Sequence, residues 1–243
     1  MHWSDEGIVL GLRRHGETGV VLETLTRAHG RHLGLVHGGR SRRMQPVLQA
    51  GNGVSLVWRA RLDEQLGSFT VEPAEQRSAR LMAAPLALYG LGSLAALLRH
   101  LPERDPHPAL YEAASSLVEH LDDPDLAPAL MVMFELSFLA ELGFGLDLGA
   151  CAVTGTPDDL AYVSPRSGRA VSAPAGEPYR DKLLPLPRFL VHSGTRNRQS
   201  PEEIDAGFAL TGYFLDRHVF APQGAALPEE RARFVAAARK VAG

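Results

Sequence analysis

Between Thr26 and Arg43 the stretch TRAHGRHLGLVHGGRSRR holds five arginines, three histidines and no carboxylate, in a chain whose formal net charge is -3. Guanidinium groups at this density suit phosphate. Each offers a rigid fork of donors and a permanent charge, and several on one surface displace the counterions of a polyanion. The candidate contacts are Arg27, Arg31, Arg40, Arg42 and Arg43, with Gly38 and Gly39 placed to let the backbone turn and approach a phosphate closely. Arg13, Arg14, Arg59 and Arg61 stand in support. In VSLVWRARL, alternation puts Val54, Leu56, Trp58 and Ala60 on one face and Arg59 and Arg61 on the other, so two guanidinium groups point outward while Trp58 packs inward. Trp3 is then left as a candidate stacking platform. The plain alternatives are a solvated charged face and an ordinary hairpin turn.

Other chemistries find less support. His29, His32 and His37 lie close together, yet no serine, cysteine or carboxylate stands near them in a catalytic or zinc-ligand spacing, and they are expected to be solvated. The chain contains no GxxxxGK[ST] loop, no HExxH and no GxSxG. GFGLDLG, Gly143 to Gly149, misses the GxGxxG spacing, and its glycines are expected to end a helix. Asp122, Asp123 and Asp125 fall in a turn before a helix, where acids oppose the positive helix end. CAVTG, Cys151 to Gly155, looks like half a zinc knuckle, CxxCG, with Thr154 at the second thiolate position. Structural zinc needs four ligands and Cys151 is the only cysteine, so no metal or other cofactor is expected and Cys151 should be a small buried residue.

The elements that must position these residues fall into two parts. From Gly7 to about Arg77, five short runs (GIVLGLR, GVVLETLT, HLGLVHG, VSLVWRARL and GSFTVE) are separated by glycine-containing turns. Five strands in this length fit a small barrel, either an OB-fold or an SH3-like one. Thereafter apolar, alanine-rich segments open on prolines: Pro85 to Leu98, Pro108 to Leu121, Pro128 to Leu142, Pro201 to about Phe220, and Pro228 to Ala242. The segment from Pro128 has little polar face and should be central in its bundle. Gly143 to Pro187 reads as a loop or short hairpin inserted in the helical part. The expected domains are residues 1–80 and 81–243, with the insertion at about 144–187. Residues 1–80 carry 11 arginines against 8 acids, whereas the remainder carries 14 basic and 20 acidic residues, so the β part is the basic one.

A single cysteine fits a reducing cytoplasm, and MHWSDEGIVL carries acids before its apolar stretch, the reverse of an export signal. Leu81 to Leu98 lacks charges but contains Pro85, Gly90 and Gly92, so it is expected to be buried helix rather than a membrane span.

With these residues in view, EGIVLGLRRHGETGVVLETLTRAHGRHLGLVHGGRSRR and its continuation to Pro73 resemble the N-terminal barrel of the bacterial recombination mediator family RecO: an IVL strand, a GE turn, an LT…HGR segment and a basic GGR segment in that order. FELSFLAELGFGLDLGACAVTG is similar to that family's helix leading into a zinc-ribbon-like insertion, and departs from it at the cysteines. The resemblance implies an N-terminal OB-fold barrel, then a helical domain whose ribbon-like insertion lacks metal ligands. It implies a non-enzymatic, nucleoid-associated cytoplasmic protein that binds single- and double-stranded DNA and anneals complementary strands. It implies partners too: the acidic C-terminal tail of single-strand-binding protein, RecR, and through them RecA. A second basic run, Arg166, Arg169, Arg180, Lys182, Arg188, Arg196 and Arg198, would extend the DNA path or receive that acidic tail, the alternative being a mobile solvated loop. The competing functions are a protein-binding adaptor built on a small barrel and a histidine-dependent hydrolase.

Overall fold

The computed structural model describes residues 1–191 and 198–242. Five strands come first: β1 (His2–His15), β2 (Gly19–Thr26), β3 (Gly30–Val36), β4 (Gly53–Arg59) and β5 (Ser68–Glu75). β1 is longer than its alternation suggested because it serves two neighbours. Its first half, His2 to Ile8, pairs with β4, and its second half, Gly7 to His15, pairs with β2. A register shift between Val9 and Gly11 lets the strand turn from one partner to the other. The strands close in the order β1-β2-β3-β5-β4, through a parallel contact of Leu35 with Ser68.

The interior holds Val9, Val20, Leu22, Val36, Val54, Leu56, Trp58 and Phe69, and Trp58 is only 2% exposed. Its indole N–H donates to the carbonyl of Leu66 at 3.1 Å, so the one polar atom of that ring is satisfied. The alternation read through VSLVWRARL needs one correction. β4 stops at Arg59, so Arg61 lies in the β4–β5 connection and shares no pleat with Arg59.

Three helices follow, α1 (Ser78–Met82), α2 (Pro85–Leu98) and α3 (Pro108–Glu119). Pro85 breaks the charge-free stretch into two pieces, and among the described residues no helix is long and apolar enough to cross a membrane. Ile8 and Leu25, partners on the face opposite Val9 and Leu22, are also buried, and α2 packs on β1. The chain divides into compact units Met1–Asp122 and Asp123–Gly243. The composition changes near residue 80, but the first unit runs on through α3.

The second unit contains α4 (Ala127–Glu141), α6 (Pro201–Leu215) and α7 (Glu229–Ala242), with β6 (Leu160–Val163), β7 (Ala170–Ser172), the short α5 (Ala173–Gly176) and β8 (Leu184–Pro185) between α4 and α6. A three-stranded sheet in the order β7-β6-β8 stands where a loop or hairpin was expected. After α6 the chain makes one π-helical turn, Asp216–Phe220, so the predicted helix to Phe220 is interrupted. α4 buries Met131, Val132, Phe134, Phe138 and Leu139 and packs on α6, but it also buries Glu135 completely while leaving Met133 39% exposed. Arg231 of α7 answers the buried charge: its Nε lies 2.7 Å from Glu135 Oε1 and its Nη2 3.0 Å from Oε2. Thr211 of α6 donates to the same carboxylate.

Candidate nucleic-acid interface

The arginine-rich loop leaves β3 at Val36 and returns at Gly53. Its far half is anchored: Val47 and Leu48 are buried in the barrel core, and the fully buried Asn52 donates to the carbonyls of Pro46 (2.7 Å) and Val47 (3.1 Å). The Asn52 carboxamide oxygen accepts the N–H groups of Arg77 (2.9 Å) and Ser78 (2.8 Å), which fixes the loop to the start of α1. Held at that end, the loop exposes residues 40–43. Gly38 takes φ +66°, a left-handed turn that favours glycine. Gly39 is buried against the barrel: a Cβ there would lie 2.5 Å from Val20 Cγ2, so its bare backbone is required by the barrel wall.

Arg40 is stitched to the β1–β2 turn. Its N–H donates to the Thr18 carbonyl at 3.1 Å and its guanidinium to the Glu17 carbonyl, while Gln45 donates to the Arg40 carbonyl at 3.0 Å. A cleft of about 510 Å³ results, lined by Arg14, Gly38, Gly39, Arg40, Gln45 and Gln49 among others. Arg42 and Arg43 are exposed beside it and make no ion pair among the described residues. These residues are brought together by the fold.

The remaining predicted contacts are dispersed. β3 separates Arg27 and Arg31 from the loop by roughly 20 Å, at about 3.3 Å per strand residue. Arg27 pairs with Glu112 of α3 at 2.7 Å and lies 5.1 Å from the Tyr111 ring. Arg31 is nearly buried, pairs with Glu23 at 3.0 Å and Glu103 at 3.6 Å, and donates to the Leu101 carbonyl. Arg13 points away from Arg14, into a cleft it shares with Glu23, Arg31 and Arg99. Arg59 is exposed and opposite Ser68, itself opposite Leu35, which sets it roughly 10 Å, two strand spacings, from the end of β3. Arg61 is exposed in the connection that follows.

The second basic run is not an unpaired surface. Arg169 pairs with Asp147 at 3.2 Å, Arg180 with Glu177 at 3.5 Å, and Arg198 with Asp125 at 3.4 Å. Arg166, Lys182 and Arg188 are exposed, and Arg196 lies outside the described residues. Arg188 borders a cleft of about 690 Å³ floored by Leu160 and Leu186 and lined also by Asp159 and Glu203.

Two of the histidines expected to be solvated are not. His32 is 2% exposed, and burial pushes its pKa down to about 4. Its Nδ1–H donates to the Leu33 carbonyl at 2.9 Å. His29 Nδ1 lies 2.9 Å from Asp5 Oδ2 and its ring stacks on Trp3 at 4.0 Å. An imidazole oriented by a carboxylate is two parts of a nucleophile chain, but among the described residues no hydroxyl or thiol hydrogen-bonds to the His29 ring. Trp3 stacks on Trp58 as well, at 5.7 Å, so it is no free platform. Alternation could not find this cluster, because Trp3 and Trp58 face each other only through the β1–β4 register.

Cys151 is fully buried, as expected, but not inert packing. Its Sγ accepts the N–H groups of Ser172 (3.2 Å) and Thr154 (3.5 Å) and lies 3.4 Å from Ser172 Oγ. Burial would raise this thiol, yet those hydrogen bonds outweigh it and bring the pKa down to about 6.

Residues 1–77 match the family model described as Recombination protein O N terminal, and residues 82–225 match Recombination protein O C terminal. The chain is 67% identical to the DNA repair protein RecO of Methylobacterium nodulans, with all of both chains covered. It is 64% identical to that of Methylorubrum extorquens, covering 97% of this chain and 98% of the relative. It is 60% identical to that of Mesorhizobium japonicum, covering 99% and 94%.

Proposed function

The chain belongs to the RecO family of DNA repair and recombination proteins, and from that membership we propose that it is a non-enzymatic mediator whose OB-fold barrel holds DNA by its phosphates. The observation that carries this reading is the arginine-rich loop: Arg42 and Arg43 are exposed and without an ion pair among the described residues, beside Arg14 and Arg40 in one cleft, on a backbone anchored by Val47, Leu48 and Asn52. Arg59 and Arg61 extend the path along the barrel surface. Contacts rich in guanidinium and poor in free aromatic faces neutralise phosphate without reading sequence, and they suit both single and double strands. Two strands held this way keep their bases free to pair, which is what annealing requires. Arg27 and Arg31 have a different task, bracing the barrel against α3 and the turn before it.

In this reading RecR and single-strand-binding protein are the partners, and loading of RecA onto gapped DNA in the cytoplasm is the outcome. The acidic tail of single-strand-binding protein would dock along the second basic run, where Arg188 borders the cleft floored by Leu160 and Leu186. The ribbon-like insertion keeps its shape by the hydrogen bonds converging on Cys151 instead of by zinc. No nucleotide enters the scheme.

The test is a salt series of DNA binding with Arg40, Arg42 and Arg43 changed to alanine. Affinity should fall for every sequence, and the slope of log K against log salt should shrink by about 2 to 3, near one for each phosphate no longer neutralised. Unchanged affinity and slope would remove the loop from the interface. Cleavage of labelled DNA with divalent metal would favour the hydrolase instead.

A further inference from the structure

The barrel has another opening, on the side of the β2–β3 hairpin, where β4 runs into its connection with β5. A cleft of about 370 Å³ is lined there by Trp3, His29, His32, Trp58, Asp63 and Arg104. Its rings form one nest. Trp3 stacks on His29 and on Trp58, and His32 meets the edges of Trp3 at 5.1 Å and Trp58 at 5.2 Å. The roof is Arg104, whose guanidinium carbon lies 5.8 Å from the Trp58 ring centre and whose Nη2 donates to the Gln65 carbonyl at 2.7 Å. Arg104 holds a left-handed backbone at φ 67°, uncommon for a residue with a Cβ, and such outliers gather at ligand clamps.

The hydrogen-bonding character of the cleft follows from the two imidazoles. His32 spends Nδ1–H on the Leu33 carbonyl, and His29 turns Nδ1 to Asp5. Burial keeps the His32 ring neutral, and with its proton on Nδ1 its Nε2 is a bare acceptor. Asp63, exposed on the connection, adds a carboxylate. Arg104, the cation of the lining, already spends its fork on the carbonyls of Asp63 and Gln65. The open edge of Trp3, the exposed Asp63 carboxylate and an Arg104 fork committed to backbone carbonyls complement an exocyclic amino group better than the ring carbonyl that thymine presents in its place. Arg59 and Arg61, at the end of β4 and in the same connection, are exposed to hold the adjoining phosphates.

We infer that this cleft takes one unstacked nucleobase bearing an exocyclic amino group, in preference to thymine, from the strand held by the arginines. The inference rests on the DNA-binding reading above and adds a base-dependent contact to it.

Trp3 and Trp58 are the chain's two tryptophans, so selectively excited tryptophan emission reports on this cleft. The full-length chain is titrated at low salt with short oligonucleotides of deoxycytidine, of thymidine and of abasic sites, reading binding by anisotropy of a labelled strand and the cleft by tryptophan emission. All three should bind through phosphate. Deoxycytidine should quench the emission and bind about tenfold more tightly than thymidine, the worth of a hydrogen bond to a charged acceptor, and the abasic strand should leave the emission unchanged. Asp63→Ala, on an exposed loop position, should erase the cytosine preference while keeping abasic affinity. Equal quenching by the abasic strand, no base dependence, or a preference that survives Asp63→Ala would overturn the cleft assignment and leave the arginine interface standing. Failure of all three strands to bind would overturn the DNA reading and this inference with it.

Discussion

At the scale of single residues, identical side chains have been given unlike work by their surroundings. Arg31 and Arg42 are indistinguishable as letters in one basic run, yet Arg31 is locked between Glu23 and Glu103 whereas Arg42 stands in water. A buried arginine that satisfies a carboxylate cannot also serve a phosphate without leaving that acid unpaired. His32 shows the same dependence in its protonation. Burial depresses its pKa from 6.5 to about 4, so between those values the unfolded chain binds a proton that the folded barrel refuses. Stability is therefore present above pH 6.5 and declines as pH falls through that window. The expected outcome is a lower melting temperature at pH 5 than at pH 7 in the wild type and a flatter difference in His32→Phe, followed by tryptophan fluorescence. Equal pH dependence in the two proteins would show that His32 is not the group responsible.

At the scale of elements, the joints are made by a few polar side chains inserted among apolar ones. Glu135 sits in the most apolar stretch of α4, and Arg231 and Thr211 bring α7 and α6 to it. Removing the arginine alone strands a buried charge, so Arg231→Met should cost about 3–5 kcal/mol in urea denaturation. The paired change Glu135→Leu with Arg231→Met should recover much of that stability, because an apolar pair needs no counter-charge; a double variant as unstable as the single one would count against this account. Asn52 has the equivalent role in the first unit, joining the arginine loop to the start of α1.

At the scale of the whole molecule, charge is distributed by neutralisation more than by domain. Residues 1–80 are net basic, but the compact unit Met1–Asp122 contains 13 basic and 13 acidic residues. The acids contributed by α3 and its preceding turn, Glu103, Glu112 and Glu119, pair with Arg31, Arg27 and Arg77. They do not reach Arg42 and Arg43, so one end of a neutral unit stays positive. The family-model matches leave a gap at residues 78–81, close to the change in composition, while the compact unit continues to Asp122. A fragment 1–122 should therefore melt cooperatively and well above a fragment 1–80, which would expose Ile8 and Leu25 and leave Arg77 without Glu119; circular dichroism on the two fragments checks this, and equal melting temperatures would place the folding boundary at residue 80.

The sequence alone was enough to determine the five strands, the proline-started helices, the inward Trp58 and the family, since each rests on local periodicity, turn chemistry or an ordered set of motifs. It also marked the GGR segment as the proposed place for phosphate. Tertiary structure decided which arginines remain available, that Gly39 serves the barrel wall, that His32 is neutral and buried, and that Trp3 and Trp58 share a cleft with Arg104. Those outcomes depend on strand register and on acids tens of residues away, and pairing across such distances leaves no periodic trace along the chain.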